Sequence, residues 1–478
     1  MEQLTKAETI ELRNKHVGKS CTLFYRANPL KIVRAEAQYM YDEKNQEYLD
    51  CINNVCHVGH CHPEVVRAGC DQMKTLNTNN RFLHDNIVLC AQKLIKTLPE
   101  QLSVCYFVNS GSEANDLAIR LARTHTKNMD TITLDHAYHG HLNTLIDISP
   151  YKFNLPGAPN KPDWVHVAPC PDSYRGKYRD TKYSKNEIGT KYADDVKEIC
   201  DKVKSEGRGI CAYIAESLQS CGGQIITPDN YFREVYKHVR AAGGVCIADE
   251  VQVGFGRVGK KYWAFQLAGD DVIPDIVTVG KPMGNGHPVA AVITTPEIAK
   301  SFLDTGVEYF NTYGGNPVSC AIANAVMDTI EKEKLQAHAL EVGEYLLKKC
   351  EELKERHQII GDVRGIGLFV GIELVTDRTT RLPATSQAKH VVARMMEEKF
   401  LVSSDGPDCN VIKLKPPMVF SKKNADDLLT VFDRVLEEVR YEICTPVRDT
   451  IRQTCVSSAH SGLVNGIKQP KEQAIKSI

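Results

Sequence analysis

Lys281 stands where a single amine can do chemistry. The β-rich run from Ile276 to Val279 predicts a short buried strand that ends at Gly280, and Pro282 together with two later glycines interrupts regular structure after the lysine. The pattern places this lysine at the carboxyl end of a strand, where ligands bind in open α/β sheets. A partly desolvated amine there either pairs with an anion or acts as a Schiff-base nucleophile. The alternative is a solvated loop lysine.

Two carboxylates follow predicted strands in the same way. The run 210–215 predicts a strand that terminates in Glu216, and the run 244–248 predicts one that terminates in Asp249. Because parallel strands present their carboxyl ends at one edge of a sheet, we expect both carboxylates and Lys281 to converge in one crevice. Such a cluster is typical of a functional site, although a buried ion-pair network has the same composition.

A predicted helix start favours a bound phosphate group. Residues 104–108 form a predicted strand, a Gly/Ser turn follows, and apolar residues recur at helical spacing from Ala114 onward. Free N–H groups and the helix dipole favour an anion above Gly111 and Ser112. This turn has neither the P-loop spacing nor a GxGxxG pattern, so a small phosphate fits it better than a nucleotide. Tyr138, after the next predicted strand, either stacks on a flat ring or fills the core.

A group of metal-ligand side chains precedes the first long helix. These side chains are His57, His60, Cys61 and His62. No second ligand group with a helical or knuckle spacing accompanies them. Pro63 is typical of the first turn of a helix, so we interpret the stretch as a helix entry and predict no metal site.

The composition excludes several function classes. The chain has 478 residues, 42% of them hydrophobic and 25% charged, with a formal net charge of -1. This balance predicts no nucleic-acid or membrane-surface partner, and no uncharged apolar run approaches the roughly 18 residues of a membrane span. The 17 cysteines lack CxxC pairs and framework spacing, which is typical of reduced thiols in an intracellular protein. The N-terminus has no apolar signal region and no clear transit peptide, so we expect the cytosol or the mitochondrial matrix.

The elements that must position the candidate residues fall into four regions. Alternating strands and helices predict a large, mainly parallel-sheet domain over residues 61–318. Residues 319–445 mix long helices with strands and predict a smaller α+β domain, against which residues 1–60 are expected to pack. The polar, aperiodic residues 446–478 predict a disordered tail. The interval 150–190, rich in Pro, Tyr, Lys and Asp, is predicted to be an irregular excursion over the surface.

Seven motifs occur in a fixed order along the chain. They are GHCHP at 59–63, NSGSEAN at 109–115, YHG at 138–140, DEVQVGFGR at 249–257, TVGKPMGNG at 278–286, TYGGNP at 312–317 and VRGIGLF at 363–369. On these motifs the chain resembles, over about residues 20–440, the class III family of pyridoxal-phosphate enzymes of fold type I. The resemblance implies an α/β fold, with a large mainly parallel-sheet cofactor domain and a smaller α+β domain, and pyridoxal 5'-phosphate as the cofactor.

The resemblance implies a role for each residue around the cofactor ring. Lys281 would bind the cofactor covalently and then move protons at the substrate carbon. Asp249 would pair with the ring nitrogen, which keeps the ring an electron sink. Gln252 would donate a hydrogen bond to the phenolic oxygen of the ring. Tyr138 would stack on the ring face, with His139 beside it in the cofactor site.

The resemblance also implies a phosphate site and a shared assembly. Gly111 and Ser112 would hold the cofactor phosphate at the helix N-terminus, and Glu216 matches a glutamate close to the ring. Thr312 matches the family position that reaches the cofactor phosphate of a neighbouring subunit. The chain is therefore expected to be a homo-oligomer, at least a dimer with shared active sites, with a tetramer as the larger alternative.

The chain departs from the family at the substrate side of the site. Class III aminotransferases carry an arginine just before a double proline, where it binds a substrate carboxylate, but this chain has Lys413 there. Lysine is a point charge that lacks the planar bidentate geometry for carboxylates and serves well for phosphate. The glutamate that usually accompanies that arginine is replaced by Cys221. The alternative is neutral drift from arginine to lysine.

These departures resemble the phospho-lyase branch of the family, and most closely its members that act on ethanolamine phosphate. The resemblance implies a small phosphorylated amine as the substrate and elimination of its phosphate. Lys413, with Arg81 or Lys415, would neutralise the departing phosphate, and Asn53 is a further candidate substrate residue. The alternatives are action on 5-phosphohydroxylysine, an ω-aminotransferase that depends on a 2-oxo acid, and a non-catalytic cofactor-binding scaffold.

Overall fold

The structure is a computed structural model that describes residues 3–78 and 81–442. The helices are α1 (Lys6–His16), α2 (Pro63–Thr75), α3 (Asp85–Ile95), α4 (Gly111–Thr126), α5 (Asn143–Asp147), α6 (Pro150–Phe153), α7 (Lys185–Ser205), α8 (Tyr231–Ala241), α9 (Pro296–Leu303), α10 (Pro317–Lys332), α11 (Leu335–Arg356), α12 (Thr385–Glu397) and α13 (Lys422–Glu442). Two short 3₁₀ helices cover Ala264–Ala268 and Lys281–Gly284.

The strands form three sheets. They are β1 (Ile32–Glu36), β2 (Tyr39–Asp42), β3 (Glu47–Asp50), β4 (Val104–Val108), β5 (Asp130–Leu134), β6 (Val165–Ala168), β7 (Ile210–Glu216), β8 (Val245–Asp249), β9 (Ile276–Val279), β10 (Ala290–Thr294), β11 (Ile360–Ile366), β12 (Phe369–Asp377), β13 (Leu382–Pro383), β14 (Phe400–Leu401), β15 (Ser403–Asp405) and β16 (Val411–Leu414).

A seven-stranded sheet is the centre of the fold. Its strand order is β4-β10-β9-β8-β7-β5-β6. Strand β10 runs antiparallel to both of its neighbours, and the pairings among β9, β8, β7, β5 and β6 are parallel. Every residue of the central strands β7 to β10 is buried. Continuous apolar runs of this kind are what a sheet covered on both faces requires.

Helices cover the two faces of this sheet. The apolar side of α4 packs on one face together with residues of β7 and β8 such as Ile214 and Ile247. The apolar sides of α7 and α8 pack on the opposite face, against β7 residues such as Tyr213. Burial of these helix stripes is the main favourable term that holds the layers together. The mixed α/β fold with a large, mainly parallel sheet confirms the expected fold class.

Two smaller sheets complete the structure. Strands β1, β2 and β3 form a meander whose last strand pairs in parallel with β14. Strands β11, β12, β16 and β15 form an antiparallel sheet, with β13 paired to β12. All the described residues belong to one compact unit. The domain boundaries at 60, 318 and 445 stay a prediction, and the predicted tail at 446–478 lies outside the described residues.

The structure corrects one predicted segment and adds unpredicted elements. The interval 150–190 is not irregular throughout, because it contains β6, an edge strand of the large sheet, and the start of α7. Strand β10 and its antiparallel direction were not predicted. Within residues 3–78 and 81–442, no helix is long and apolar enough to cross a membrane.

Candidate active site

Three neighbouring strands bring the predicted residues to one edge of the large sheet. Strands β7, β8 and β9 are adjacent and parallel, with Glu216 opposite Asp249 and Asp249 opposite Thr278. The strand β9 ends at Val279, and Lys281 begins the 3₁₀ turn that follows. The predicted convergence of both carboxylates and the lysine is therefore confirmed by the register.

Asp249 is a buried carboxylate with fixed partners. Its Oδ2 accepts hydrogen bonds from Asn115 Nδ2 and from His139 Nδ1, each at 2.8 Å, and its Oδ1 accepts one from the backbone N–H of Val251 at 3.1 Å. Asn115 is itself oriented by Thr278, whose hydroxyl donates to its Oδ1 at 2.6 Å. These bonds fix the position and orientation of the carboxylate at the strand end. Sequence reasoning missed Asn115, although it lies within the NSGSEAN motif.

The turn that carries Lys281 touches the start of helix α4. A Cβ on Gly280 would lie 3.2 Å from the backbone nitrogen of Gly111, and a Cβ on Gly111 would lie 2.6 Å from Val251. Ser110 caps the helix, its hydroxyl accepting from the N–H of Glu113. The close backbone approach therefore places the helix N-terminus beside the Lys281 turn, where its dipole favours an anion.

Glu216 joins two loops beside this edge. Its Oε1 accepts from the backbone N–H of Tyr138 at 3.2 Å and its Oε2 from that of Ser220 at 3.0 Å. Burial raises the pKa of Glu216 to about 7, with a further contribution from the charge of Asp249. The carboxyl therefore titrates near neutral pH.

Gln252 is oriented by a buried lysine that lies next to it. Lys415 Nζ donates hydrogen bonds of 2.6 Å to Gln252 Oε1 and to Ser220 Oγ, and Asn54 Nδ2 donates to the same Gln252 oxygen at 2.9 Å. With its oxygen occupied by two donors, Gln252 has its Nε2–H₂ group left to donate. Lys415 is 2% exposed. Burial lowers the pKa of Lys415 well below its usual value, and the positive charges of Lys413 and Lys281 lower it further.

Lys413 has a carboxylate partner that the sequence did not indicate. Its Nζ lies 2.6 Å from Asp405 Oδ2, and the side chains are 21% and 8% exposed. The antiparallel pairing of β15 with β16 brings the two together, since Asp405 pairs with Val411 and Ser403 with Lys413. Burial lowers the pKa of Lys413, but the charge and hydrogen bond of Asp405, together with the neighbouring Cys221 and Glu216, outweigh burial, and the pKa is raised.

The other predicted site residues differ in how exposed they are and in what they contact. Tyr138 is half-buried, with its ring edge-on to that of Tyr151 at 5.8 Å. Asn53 is half-buried and lines an apolar cavity of about 370 Å³. Arg81 and Thr312 are exposed, and the guanidinium of Arg81 stacks on the ring of Phe310 at 4.2 Å. Arg81 and Thr312 thus belong to one surface, because Phe310 contacts Arg81 and lies two residues before Thr312.

The histidine group is bound to protein atoms. His57 Nε2–H donates to the carbonyl of Gly254, and His60 and His62 contact Asp50 and Glu333 at 2.7 and 3.0 Å. Among the described ranges no set of three or more His, Cys, Asp or Glu side chains has metal-binding geometry.

The chain also contains one GxGxxG pattern, and the expectation from the sequence that this pattern is missing was wrong. It comprises Gly254, Gly256 and Gly259, after β8. In the structure it leads into turns and not into a helix, and a Cβ on Gly259 would lie 2.6 Å from Leu340. These glycines accommodate close packing of protein segments, so the pattern is not a dinucleotide site.

Comparisons with known proteins identify the family. Residues 24–436 match the model of the family described as Aminotransferase class-III. A Drosophila melanogaster protein named alanine–glyoxylate aminotransferase 2-like is 61% identical, covering 100% of this chain and 97% of its own length. Ethanolamine-phosphate phospho-lyase homolog 1 of Caenorhabditis elegans is 49% identical, covering 90% of this chain and 94% of its own length.

Solved structures with the same fold include enzymes of both activities. A phospholyase from Arthrobacter in complex with phosphoethanolamine has a TM-score of 0.85 and 36% identity, covering 90% of this chain and 99% of that one. A transaminase from the marine bacterium Virgibacillus has a TM-score of 0.81 and 26% identity, covering 91% of this chain and 100% of that one.

The residues at the sheet edge fit the cofactor of this family. A fixed carboxylate at Asp249, an amide donor at Gln252, an amine at Lys281 and a helix N-terminus at Gly111 match the ring nitrogen, phenolic oxygen, aldehyde and phosphate of pyridoxal phosphate. The buried, unpartnered Nε2 of His139 is a further polar atom at this edge. The chain belongs to the class III aminotransferase family, whose enzymes depend on pyridoxal phosphate.

Proposed function

We propose that this enzyme is a phospho-lyase that converts ethanolamine phosphate and water into acetaldehyde, ammonia and phosphate. The observation that carries the proposal is the pair Lys413 and Lys415 at the substrate side of the site, where Lys415 contacts Gln252 directly. Lysine ammonium groups suit a phosphate dianion better than they suit a planar carboxylate. The site therefore favours a phosphorylated amine over an amino acid.

Lys281 and Asp249 would carry the chemistry at the substrate carbon. When bound, pyridoxal phosphate supplies an electron sink for negative charge that develops next to the substrate nitrogen. Lys281 would remove a proton from that carbon, since it is the amine at the strand end beside the helix N-terminus. Asp249, held in place by Asn115 and His139, would remain paired with the ring nitrogen throughout the reaction.

The remaining cofactor contacts are proposals from the same geometry. Gly111 and Ser112 would hold the cofactor phosphate at the start of α4. Gln252 would donate from its Nε2 to the phenolic oxygen, because Lys415 and Asn54 occupy its own oxygen.

Three other predicted residues would line the cofactor ring. Tyr138 and His139 would lie beside the ring, since His139 is bound to Asp249. Glu216 would fix the Tyr138 loop through its bond to the backbone N–H of Tyr138.

Lys415 is the cation best placed to meet the departing phosphate. The bond between the substrate carbon and the ester oxygen breaks and its electron pair goes to that oxygen, which leaves as part of the phosphate, so negative charge grows on the leaving group. Lys415 is buried and has only neutral hydrogen-bond partners, Ser220 and Gln252, among the described residues. Burial lowers the pKa of Lys415, but the negative charge of a bound phosphate would favour its protonated form. A cation in a desolvated site stabilises the charge of the leaving group more than it would in water. Lys413 would make a smaller contribution, because it is paired with Asp405, although it is close enough for its charge to act on Lys415.

Relatives support both the proposal and one alternative. The names of the C. elegans and Arthrobacter proteins favour a phospho-lyase acting on ethanolamine phosphate, whereas the name of the Drosophila protein favours an aminotransferase. An enzyme acting on 5-phosphohydroxylysine would use the same amine and phosphate positions. Lys415, together with the absence of a carboxylate-binding arginine at position 413, decides our preference for a phosphorylated substrate.

We also infer that the protein is a homo-oligomer of at least two subunits, with shared active sites. Phe82, Leu83 and Phe310 are exposed apolar side chains near Arg81, and Thr312 lies on the same surface. Grouped apolar side chains of this size mark association surfaces. Thr312 and Arg81 would then serve the site of the neighbouring subunit, while Asn53 would line the substrate approach in its own.

The test uses purified, cofactor-loaded protein with ethanolamine phosphate and no 2-oxo acid. Phosphate, ammonia and acetaldehyde are followed over many turnovers, and we expect equal and sustained release of all three. Turnover of 5-phosphohydroxylysine alone would keep the reaction type and change the substrate. Activity only after addition of pyruvate or 2-oxoglutarate would identify an aminotransferase and overturn the proposal.

A further inference from the structure

The two lysines of the substrate side differ in how their charges are compensated. Lys413 is ion-paired with Asp405 at 2.6 Å, and both side chains are largely removed from solvent. Lys415 donates to the neutral acceptors Ser220 Oγ and Gln252 Oε1. Lys413 is therefore ion-paired with a carboxylate, and the hydrogen-bond acceptors of Lys415 are neutral.

The pairing of two strands brings Asp405 and Lys413 together. Asp405 ends β15, Lys413 lies in β16, and the two strands pair in antiparallel register. Both side chains belong to the same small sheet, so the strand pairing keeps Asp405 within reach of Lys413. A ligand that binds Lys413 has to compete with a carboxylate that is already in place and already desolvated.

We propose that Asp405 is a specificity-determining residue, which occupies the ammonium of Lys413 so that this position does not bind the carboxylate of an amino acid or a 2-oxo acid. This inference rests on the proposed function and extends it to the choice among substrates. A single carboxylate offers Lys413 no more charge than Asp405 does, and it must also lose its hydration. A substrate carboxylate therefore gains little at this position.

The proposal distinguishes the two phosphorylated candidates. Ethanolamine phosphate and 5-phosphohydroxylysine share the amine and the phosphate on adjacent carbons, and the second also carries an amino-acid carboxylate. With Lys413 occupied by Asp405, that carboxylate has no uncompensated cation at this position, while the phosphate can still meet Lys415. Asp405 thus favours the substrate that has no carboxylate, and it disfavours the 2-oxo acids that an aminotransferase requires.

The experiment measures binding to the cofactor-loaded protein and does not depend on turnover. The absorbance of the bound cofactor is titrated with ω-amino acids from β-alanine to 6-aminohexanoate and with n-butylamine as a ligand without a carboxylate. In Asp405→Asn, which keeps the shape but removes the charge, we expect the tightest ω-amino acid to bind about tenfold more strongly than in wild type. Binding of n-butylamine should not change.

Two further variants decide whether Lys413 is responsible. In the double variant Asp405→Asn, Lys413→Met, the gain should disappear, and in Asp405→Glu the wild-type preference should persist. The double variant also removes the unpaired lysine, which protects the test against misfolding of Asp405→Asn. A gain that persists in the double variant would mean that Asp405 merely repels anions, and no gain in Asp405→Asn would mean that it plays no part; either result overturns the proposal.

The titrations test the role of Asp405 independently of the proposed phospho-lyase function. If wild-type protein releases no phosphate from ethanolamine phosphate, the lyase assignment fails, while the titrations still report whether Asp405 controls carboxylate binding. If phosphate is released but the titrations show no effect of Asp405, the lyase assignment stands and the role of Asp405 fails.

Discussion

Replacing each lysine of the substrate side with methionine should affect stability in opposite directions. Lys415 is 2% exposed and has no carboxylate within ion-pair distance in the described chain. Methionine of similar volume removes a buried amine that is costly to keep charged, so Lys415→Met should stabilise the protein by about 1 to 2 kcal/mol near neutral pH. Lys413→Met instead leaves Asp405 unpaired in a largely buried position, and should destabilise by about 2 to 3 kcal/mol.

The pH dependence of the Lys415 effect has a definite sign. Because the pKa of Lys415 is lowered in the folded state, the unfolded chain holds its proton more tightly. The cost to wild type is complete below the folded pKa and vanishes above the unfolded one. The stabilisation of Lys415→Met should therefore be largest at acidic pH, decline as the pH rises through the lowered pKa of Lys415, and disappear at alkaline pH.

Lys415→Met, the more stable of the two variants, should lose more activity than Lys413→Met. If Lys415 contacts the departing phosphate, Lys415→Met removes a charge-assisted contact in a desolvated site. The kcat/KM for ethanolamine phosphate should then fall roughly 30- to 1000-fold, which corresponds to about 2 to 4 kcal/mol of lost transition-state stabilisation. The loss in Lys413→Met should be smaller, because Asp405 already compensates Lys413.

The assays are thermal unfolding of both variants between pH 6 and pH 10.5, and phosphate release at several ethanolamine phosphate concentrations. The cofactor absorbance is recorded in each variant as a control for an intact site. Wild-type kcat/KM in Lys415→Met, or a larger loss in Lys413→Met than in Lys415→Met, would refute the assignment of phosphate to Lys415. A stabilised Lys413→Met would refute the account of the ion pair.

Three further outcomes are expected. Lys281→Ala should abolish phosphate release and change the absorbance of the bound cofactor, whereas the exposed Lys260→Ala should do neither. Because burial raises the pKa of Glu216 from 4.5 to about 7, the folded state binds more protons than the unfolded one between these values, and wild-type stability falls as pH rises through that window. Glu216→Gln removes this pH dependence. Between pH 4.5 and pH 7.5 the stability of the variant relative to wild type, measured by thermal unfolding, should therefore rise by about 3 kcal/mol. Parallel stability curves for the two proteins would contradict the raised pKa of Glu216. Leu83→Glu, at a fully exposed position, should dissociate the oligomer in analytical ultracentrifugation and reduce activity, whereas Leu382→Glu, also exposed, should leave assembly unchanged; an intact oligomer in Leu83→Glu would argue against this surface.

Local sequence patterns predicted the strands that carry the chemistry. The strands ending in Glu216 and Asp249 and the one preceding Lys281 were located to within one or two residues, since short apolar runs bounded by glycine are reliable where a sheet is buried on both faces. Their convergence also followed, because parallel neighbours share an edge. The edge strand Val165–Ala168 was missed because four residues within a Pro- and Tyr-rich interval carry no period.

The contacts around the site were less accessible to sequence reasoning. Asn115 lies in a recognised motif, yet its bond to Asp249 depends on a helix packing across the sheet. Ser220 and Asn54 meet Lys415 and Gln252 from distant parts of the chain. Hydrogen bonds between such distant residues leave no spacing signal, because spacing reports only the element to which a residue belongs.

The sequence by itself determined the fold class, the strands that end in Glu216 and Asp249 and precede Lys281, and the family, since periodicity, turn residues and ordered motifs are local properties. Only the tertiary structure decided that β10 is inserted antiparallel between β4 and β9, and that Asp405 compensates Lys413 while Lys415 does not have such a partner among the described residues. The physical reason is that charge compensation and strand neighbours depend on distances across the folded chain. Two lysines that are nearly identical in sequence context therefore differ in the charge that they offer a substrate.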